Sequence, residues 1–526
     1  MKTYKDHLVS TSSFLKKDIR KPIYRSSAIF PFMLNKKLNV NIHFLGYWLI
    51  KRNIKKVKVL ITIRNKNGKI FKQFKRYINQ VKSYTINLKK EVNFNKLKNV
   101  FVGSIELEVI SKYDMVYPYP AFVINFDGVN NSSAVHTCGR IYNDLDDKNS
   151  NNKFKVPETG FDVLSSKRLV PFFSFVNGNK ELKNFNILLK FINFYGQKKR
   201  KILKFKKLGA YETCFNFFLS KEDRNFFQDK KGIVKIHHNF KSFFPRFLAG
   251  SFDKEKYDSS ITHTYYDLSN KNDKSQYWKN PNPKLYDDTY VAIPLLIKQN
   301  MKTELAVYPN FSKNKFDLNL IVFDQNGKTI GKVEKFLIID KKFNRPKFLN
   351  INNIIDTNKI FLKKNNNYFC KIYTTYTDKI LTRLKFGLNI GKFEEASNSF
   401  ESNICFNAHV PINNFERKKS SFKWGLLLNK NNSQILISNL SYLKSKHKKA
   451  NLLLKIWNNH NNKFISKKVI IPKNGNYFFC LNKQNKIKDF LKKNTGWMTI
   501  QSDNPFINGW YLDISKNGSI GGDHLF

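Results

Sequence analysis

The sequence predicts an all-β chain of four tandem antiparallel β-sandwich repeats, each about 130 residues long. Three observations carry that expectation. A strand, tight turn and returning strand recur four times, a second apolar strand follows each at a matching interval, and a strand of small residues closes each unit. At 526 residues the chain is long enough for several cores. Its 49 Phe, within an aromatic content of 15%, supply apolar mass for them.

The first landmark runs Val57-Lys-Val-Leu-Ile-Thr-Ile63 into Asn67-Gly68, and Ile187-Leu-Leu-Lys-Phe191 into Tyr195-Gly196. It returns as Leu318-Asn-Leu-Ile-Val322 into Asn326-Gly327, and as Leu452-Leu-Leu-Lys-Ile456 into Asn459-His-Asn461. Apolar residues at every second position make one face of a pleated strand apolar, and Asn-Gly supplies the positive φ angles of a two-residue hairpin turn. Gly68, Gly196 and Gly327 are spaced by 128 and 131 residues, the length of a sandwich domain.

The second landmark is Ile105-Glu-Leu107, Val234-Lys-Ile236, Cys370-Lys-Ile372 and Met498-Thr-Ile500. Three of the four precede a bend marked by proline (Pro118 and Pro120; Pro245; Pro505), a residue that belongs at strand starts and edges. The closing strand reads Ser132-Ser-Ala-Val-His-Thr137 and Ser259-Ser-Ile-Thr-His-Thr264, 127 residues apart. Ser402-Asn-Ile-Cys-Phe-Asn407 holds the place in the third copy, with Phe406 in the position of the histidines, and Gly518-Ser-Ile-Gly-Gly-Asp-His-Leu-Phe526 in the fourth.

These landmarks divide the chain into a polar segment 1–24 and repeats 25–150, 151–270, 271–408 and 409–526. Polar connections run from Asn143 to Glu158, Asp267 to Asp288 and Asn407 to Ser421. Opening strands are expected near Phe44 to Ile50, Val170 to Val176, Val291 to Leu296 with Leu305 to Tyr308, and Trp424 to Leu428 with Ile435 to Ser438. Helical periodicity is confined to short turns near Lys221 to Phe227 and Lys486 to Leu491.

The formal charge of +55 has the sign expected of a nucleic-acid binder, but of 94 basic residues 81 are Lys and 13 Arg. Lys, Asn, Ile and Phe are the residues an AT-rich coding sequence favours, so part of the charge reads as compositional drift. Direct base readout and bidentate phosphate contacts favour Arg. The lysines also spread through the chain and concentrate in expected turns, as at Lys198, Lys199 and Arg200, or Lys444, Lys446, Lys448 and Lys449. A solvated surface that resists aggregation is the simpler reading. No segment has the length and apolarity of a signal peptide core or a membrane span. Cys214, Cys370, Cys405 and Cys480 lie in apolar runs, as reduced structural thiols do. A cytoplasmic protein without a membrane span is the expectation.

The stretch Trp497-Met-Thr-Ile-Gln-Ser-Asp-Asn-Pro505, with Trp510-Tyr-Leu-Asp-Ile514 and Gly518-Ser-Ile-Gly-Gly, resembles the C-terminal half of the small sensory rhodopsin transducer family. There too, a strand ending in Ser, an Asn/Pro bend, an apolar strand ending in a charged residue and a final strand of small residues follow in order. The first repeat departs by a longer bend and the third lacks the Pro. The resemblance implies a single-domain β-sandwich that assembles as an oligomer, of a kind suspected of binding small molecules or sugars. Four linked copies would amount to a pseudo-tetramer in one chain.

Candidate ligand-binding residues are Ser132, Ser133, His136 and Thr137 with Arg140, then Ser259, Ser260, His263 and Thr264, and Asp523 with His524 near the last residue. Imidazole beside hydroxyls suits a sugar or carboxylate contact; the competing role is to satisfy backbone groups at a sandwich end. His237 and His238 are adjacent on one strand, point to opposite faces and cannot share a metal. Asp144, Asp146, Asp147 and Asn149 form an oxygen-rich cluster without the Gly and terminal Glu of a calcium loop. Tyr113, Tyr117, Tyr119, Tyr265, Tyr266, Trp278, Trp510 and Tyr511 are expected as exposed rings for a sugar face, or else as packing. No nucleophile elbow, phosphate loop, zinc-protease motif or paired CxxC is present, so no catalytic residue, metal or cofactor is expected. The leading expectation is a non-catalytic protein that binds a small polar ligand, such as a carbohydrate, or scaffolds partners. An enzyme acting on glycans or their precursors between repeats is second, and nonspecific nucleic-acid binding through the Lys-rich surface third.

Overall fold

The structure, a computed structural model, describes residues 22–96, 100–116, 120–136, 139–141, 158–164, 169–215, 219–240, 243–253, 258–267, 277–280, 282–309, 314–340, 343, 345–376, 379–381, 384–392, 399–411, 419–444, 447–492 and 494–526. The segment 1–21, Thr137 and the cluster Asp144, Asp146, Asp147 and Asn149 lie outside them.

Alternation along the first landmark does what a pleated strand requires. Val57, Val59, Ile61 and Ile63 are buried, while Lys58 and Leu60 between them are half-exposed. The first copy has eight strands: β1 (Arg25–Leu34), β2 (Asn39–Leu45), β3 (Val57–Asn65), β4 (Ile70–Ile78), β5 (Ser83–Asn87), β6 (Phe101–Ile110), β7 (Val123–Asp127) and β8 (Ser132–Val135). They form two antiparallel sheets, β1-β6-β3-β4 and β5-β2-β7-β8. The same order recurs in the strands from Glu158 to His263, Thr289 to Asn407 and Ser421 to His524. The second copy adds Tyr265–Asp267 to the edge of its first sheet. The chain is therefore all-β, with four tandem antiparallel β-sandwiches.

The described residues fall into two compact units, one of those within 22–266 with Asn458–Lys463 and one of those within 267–457 with Phe464–Phe526. Copies one and two belong to the first, which also takes the hairpin turn Asn458–Lys463 of the fourth copy; copy three and the rest of copy four belong to the second. In the second unit one apolar cluster runs through both copies, from Leu305, Leu320 and Phe386 to Leu436, Tyr442 and Trp510. Among the described residues no helix is long and apolar enough to cross a membrane.

Three sequence expectations need correction. The expected strand Phe44 to Ile50 ends at Leu45, and Tyr47–Arg52 is a short helix. It buries Tyr47 and Trp48, places Lys51 and Arg52 in its last turn and stops at a left-handed Asn53. The first strand of that copy is instead β1, whose Pro31 sits on the sheet edge where no ladder donor is needed. Similarly the second copy opens at Glu158–Leu164, ahead of Leu169–Val176. Lys198, Lys199 and Arg200 lie in a strand, Lys198–Leu208, rather than a turn.

Short helices occupy the connection after the fifth strand in all four copies: Leu88–Glu91, Lys221–Asn225, Ile351–Thr357 and Asn485–Leu491. The sequence shows only the second and fourth by periodicity. The others are marked by caps, with Asn87 and Asn350 side chains accepting from backbone N–H groups of the first turn.

The hairpin turns differ from the two-residue type expected. Gly68, Gly196 and Gly327 have φ of 80°, 84° and 81°, whereas the residues before them keep negative φ. The Gly68 N–H donates to Asn65 O and the Asn65 N–H donates to Lys69 O, and the pattern repeats from Asn193 to Gln197 and from Asp324 to Lys328. These are three-residue loops closed by a glycine bulge. The leading side chain tightens each: Oδ1 of Asn65 accepts from Asn67 and Lys69, that of Asn193 from Tyr195 and Gln197, and that of Asp324 from Asn326 and Lys328.

Two of these turns dock on the next copy. A Cβ on Gly68 would lie 2.1 Å from Ala210 O, and one on Gly327 1.9 Å from Lys473 O. Beside them Thr213 N–H donates to Lys66 O at 2.8 Å, and Asn476 N–H to Gln325 O at 3.3 Å. The receiving segments are built alike. A buried Asn just past or at the end of the second strand, Asn177 or Asn439, donates its side-chain amide to the carbonyls of Leu208 and Gly209, or of Ile471 and Pro472. Tyr211 and Asn474 take matching left-handed φ values of 57° and 59°. Gly68→Ala and Gly327→Ala each combine a strained φ with a backbone collision, so each should destabilise the full chain by on the order of 2 kcal/mol or more. Urea unfolding of each variant checks this, and an unchanged midpoint would contradict the docking.

Candidate functional site

The closing strands carry most of the candidate residues. β8 and its counterpart Ser259–His263 lie side by side in the first unit. The buried Asp258 carboxylate accepts from Asn130 N–H at 2.8 Å, Asn131 N–H at 3.3 Å and Asn130 Nδ2 at 2.6 Å. Asn131 Nδ2 donates to Ser259 O and Ser259 N–H donates to Asn131 Oδ1. Ser132 Oγ accepts from Asn125 Nδ2 at 2.6 Å, while the Ser133 and Ser259 hydroxyls are buried without a protein hydrogen-bond partner. Ser260 is half-buried. The polar motif thus lies along the seam between copies one and two.

His136 and His263 meet at this seam edge to face, with ring centroids 5.6 Å apart. His263 Nδ1 lies 2.9 Å from Thr264 O, which assigns its proton to Nδ1. Thr264 is buried, its N–H donating to Phe247 O, and Arg246 donates to its carbonyl. Arg140 exchanges backbone hydrogen bonds with Phe244 and lays its guanidinium over the Phe244 ring at 3.8 Å.

Strand register shows which residues are equivalent. Leu248 pairs with His263, Phe386 with Phe406 and Trp510 with His524, and Ile124 with Val135, which sets His136 opposite Val123. His136, His263, Phe406 and His524 therefore occupy one position in four copies. His524 Nδ1 faces Leu525 O at 3.2 Å, as His263 faces Thr264 O, and its N–H donates to the buried Asp523 carboxylate.

In the second unit this position opens onto a cavity of about 310 Å³ between copies three and four. One wall is apolar: Phe406 and Trp510 meet edge to face at 4.9 Å, and Trp510 Nε1 donates to Ala292 O. The polar side is formed by Asn407, Lys423, His409, Asn508 and His524. Burial pushes the His409 imidazole down to about 3, with the charges of Lys423 and His524 adding to it. Neutral His409 accepts at Nε2 from Asn508 Nδ2, and its backbone pairs with Tyr290 in both directions. Tyr290 in turn donates its hydroxyl to Leu440 O. Among the described residues no hydroxyl, thiol or carboxyl side chain lines the cavity. A larger depression of about 690 Å³ on the outer face of the fourth copy is open to solvent and lacks aromatic walls apart from Phe422.

The expectation of exposed rings fails at three positions: Trp510, Tyr511 and Tyr265 are 4%, 2% and 1% exposed, because each packs inside a sandwich or a seam. Tyr113 is exposed. Tyr117 and Tyr119 lie outside the described residues, as do the side chains of Tyr266 and Trp278. His237 and His238 do face opposite ways on their strand, with His238 buried and accepting from Phe240 N–H. Cys214, Cys370 and Cys405 are buried free thiols, and burial raises those of Cys214 and Cys370. His409, Asn508 and Lys423 were missed by sequence reasoning. The replacement of His by Phe406, opposite a Trp in the next copy, was the available signal.

No known family matches the chain, and no curated protein does. Among solved structures it is similar to one described as a tetra-tandem repeat in the extending region of a large adhesion protein. The two share 8% identity over 89% of this chain and 90% of that one, at a TM-score of 0.10. A likeness of that degree implies no shared ligand or activity.

Burial lowers three imidazoles: His238 and His409 to about 3 and His447 to about 4. An unfolded His binds its proton below about 6.5, so each such group favours the folded state less as pH falls from there towards its lowered value. For His238 the loss is about 2 kcal/mol at pH 5. Ring NMR signals of these three residues should stay those of neutral imidazole from pH 8 to 5; a midpoint near the ordinary value would contradict the burial.

Proposed function

We propose that the chain is a non-catalytic binding protein whose ligand, a small hydroxylated carboxylate such as a sugar acid, occupies the cavity between the third and fourth copies. The observation that carries this reading is the combination there of an aromatic wall, Phe406 and Trp510, with convergent Lys423, Asn508 and His524. Cavities of that size with an apolar wall and a few placed polar groups are the usual form of small-molecule sites. Lys423 and His524 suit a carboxylate, the amide suits hydroxyls, and the rings suit the apolar face of a sugar. Catalysis has little support there. His409 already accepts from Asn508, and among the described residues no nucleophile or carboxyl side chain lines the space.

Thermal-shift and calorimetric titration of the full chain with glucuronate, neutral glucose and malate tests the reading. Glucuronate should bind most tightly, and Lys423→Ala and His524→Ala should each weaken it about tenfold, near 1.4 kcal/mol. Lys364→Ala, at an exposed turn of the third copy, should leave it unchanged. Binding insensitive to Lys423→Ala, or no binding of any acid, overturns the proposal.

A further inference from the structure

The fourth strand stands at a sheet edge in every copy, and in one copy its charge is exceptional. The Ile70–Ile78 strand carries Lys72, Lys75 and Arg76; Thr329–Ile339 carries Lys332 and Lys335 with Glu334; Phe464–Ile471 carries Lys467 and Lys468. The strand Lys198–Leu208 carries Lys198, Lys199, Arg200, Lys201, Lys204, Lys206 and Lys207 and no acid. All four strands share one coding sequence and one structural role. Compositional drift and protection of an open edge therefore act on all of them, and neither explains a seven-cation strand in one copy alone.

The strand sorts these cations by face. Lys199 and Lys201 reach the carboxylates of Glu222 and Asp223, and Lys207 pairs with Glu181. Lys198, Arg200, Lys204 and Lys206 alternate onto the exposed face around Ile202. None of these four has an ion pair or hydrogen bond among the described residues. Arg200 also stands directly across from Lys190 on the neighbouring strand, a like-charge pairing that costs stability unless an anion covers it. At the turn that feeds this strand, Phe194 and Tyr195 are 41% and 51% exposed, and Lys230 stands 4.6 Å from the Tyr195 ring centroid.

Alternate residues of a strand repeat every 6.6 Å or so, close to the phosphate spacing of an extended single strand. We infer that the outer face of this strand binds single-stranded nucleic acid, its phosphates lying along Lys198, Arg200, Lys204, Lys206 and Lys190, with a base stacked on the Phe194 and Tyr195 turn. Cations along the backbone and an aromatic platform at one end are the parts such sites combine. The site is in the second copy and independent of the cavity in the second unit.

Fluorescence anisotropy of labelled oligothymidylate with the full chain, over a salt series, tests it. The variant Lys198→Gln, Arg200→Gln, Lys204→Gln, Lys206→Gln should bind at least about tenfold more weakly and reduce the slope of log K against log salt by about 3, from about 0.7 per phosphate contact. Phe194→Ala with Tyr195→Ala should weaken binding about fivefold or more. A control with the same charge change on other exposed lysines, Lys363→Gln, Lys364→Gln, Lys467→Gln, Lys468→Gln, should keep the wild-type affinity. An equal loss in that control would show diffuse attraction by net charge and overturn the site. Heparin binding that matches oligothymidylate and ignores the Phe194 and Tyr195 change would show a plain polyanion surface and overturn the nucleic-acid assignment.

Discussion

The pairing of copies depends on a hairpin turn that can enter its neighbour's backbone. A glycine with positive φ closes the turn, and its missing side chain leaves room for a carbonyl oxygen of the next copy to sit where a methyl would be. The receiving segment cannot be soft if that contact is to persist. Asn177 and Asn439 hold it from within by side-chain amide bonds to successive carbonyls. A buried amide nitrogen held by successive carbonyls fixes geometry, whereas one left without an acceptor costs stability. With turn and receiver both rigid, the closing strands of the paired copies come together, and the seams on which the candidate site depends follow.

Each seam has then taken its own chemistry at one shared position. In the first unit two imidazoles face each other beside a hydrogen-bond network centred on Asp258. In the second, Phe406 replaces one imidazole and packs on Trp510, leaving a cavity whose polar side is Asn407, Lys423, His409, Asn508 and His524. Two seams on one scaffold have thus diverged, one into a polar network and the other into a cavity with an aromatic wall.

Much of the architecture was legible in the sequence because it rests on local rules. Period-two apolar strands such as Val57 to Ile63 must bury one face, and a turn ending in Gly68 or Gly327 must reverse the chain. The helices at Leu88 and Ile351 escaped; each is fixed at its first turn by a capping asparagine side chain, Asn87 or Asn350, a residue too common in this chain to mark a helix start by itself. Of the candidate site, His524 was legible, but its partners were not. Lys423, His409 and Asn508 come from three strands or connections far apart in sequence, and only register and docking bring them to one cavity. The basic strand was misread for a related reason: Lys198 to Arg200 have turn-like composition, and their place in a ladder with Ile187 to Ile192 is a pairing property.

The docking of turns into neighbouring copies is read most directly by hydrogen exchange at two amides. Thr213 N–H and Asn476 N–H sit in connections that would be solvent-facing in an isolated sandwich, and each donates to the turn of the preceding copy, at Lys66 O and Gln325 O. Protection comparable to that of the adjoining strands is expected, lost together with global unfolding. Exchange at these two amides as fast as at an exposed turn such as Lys364 would contradict the docking.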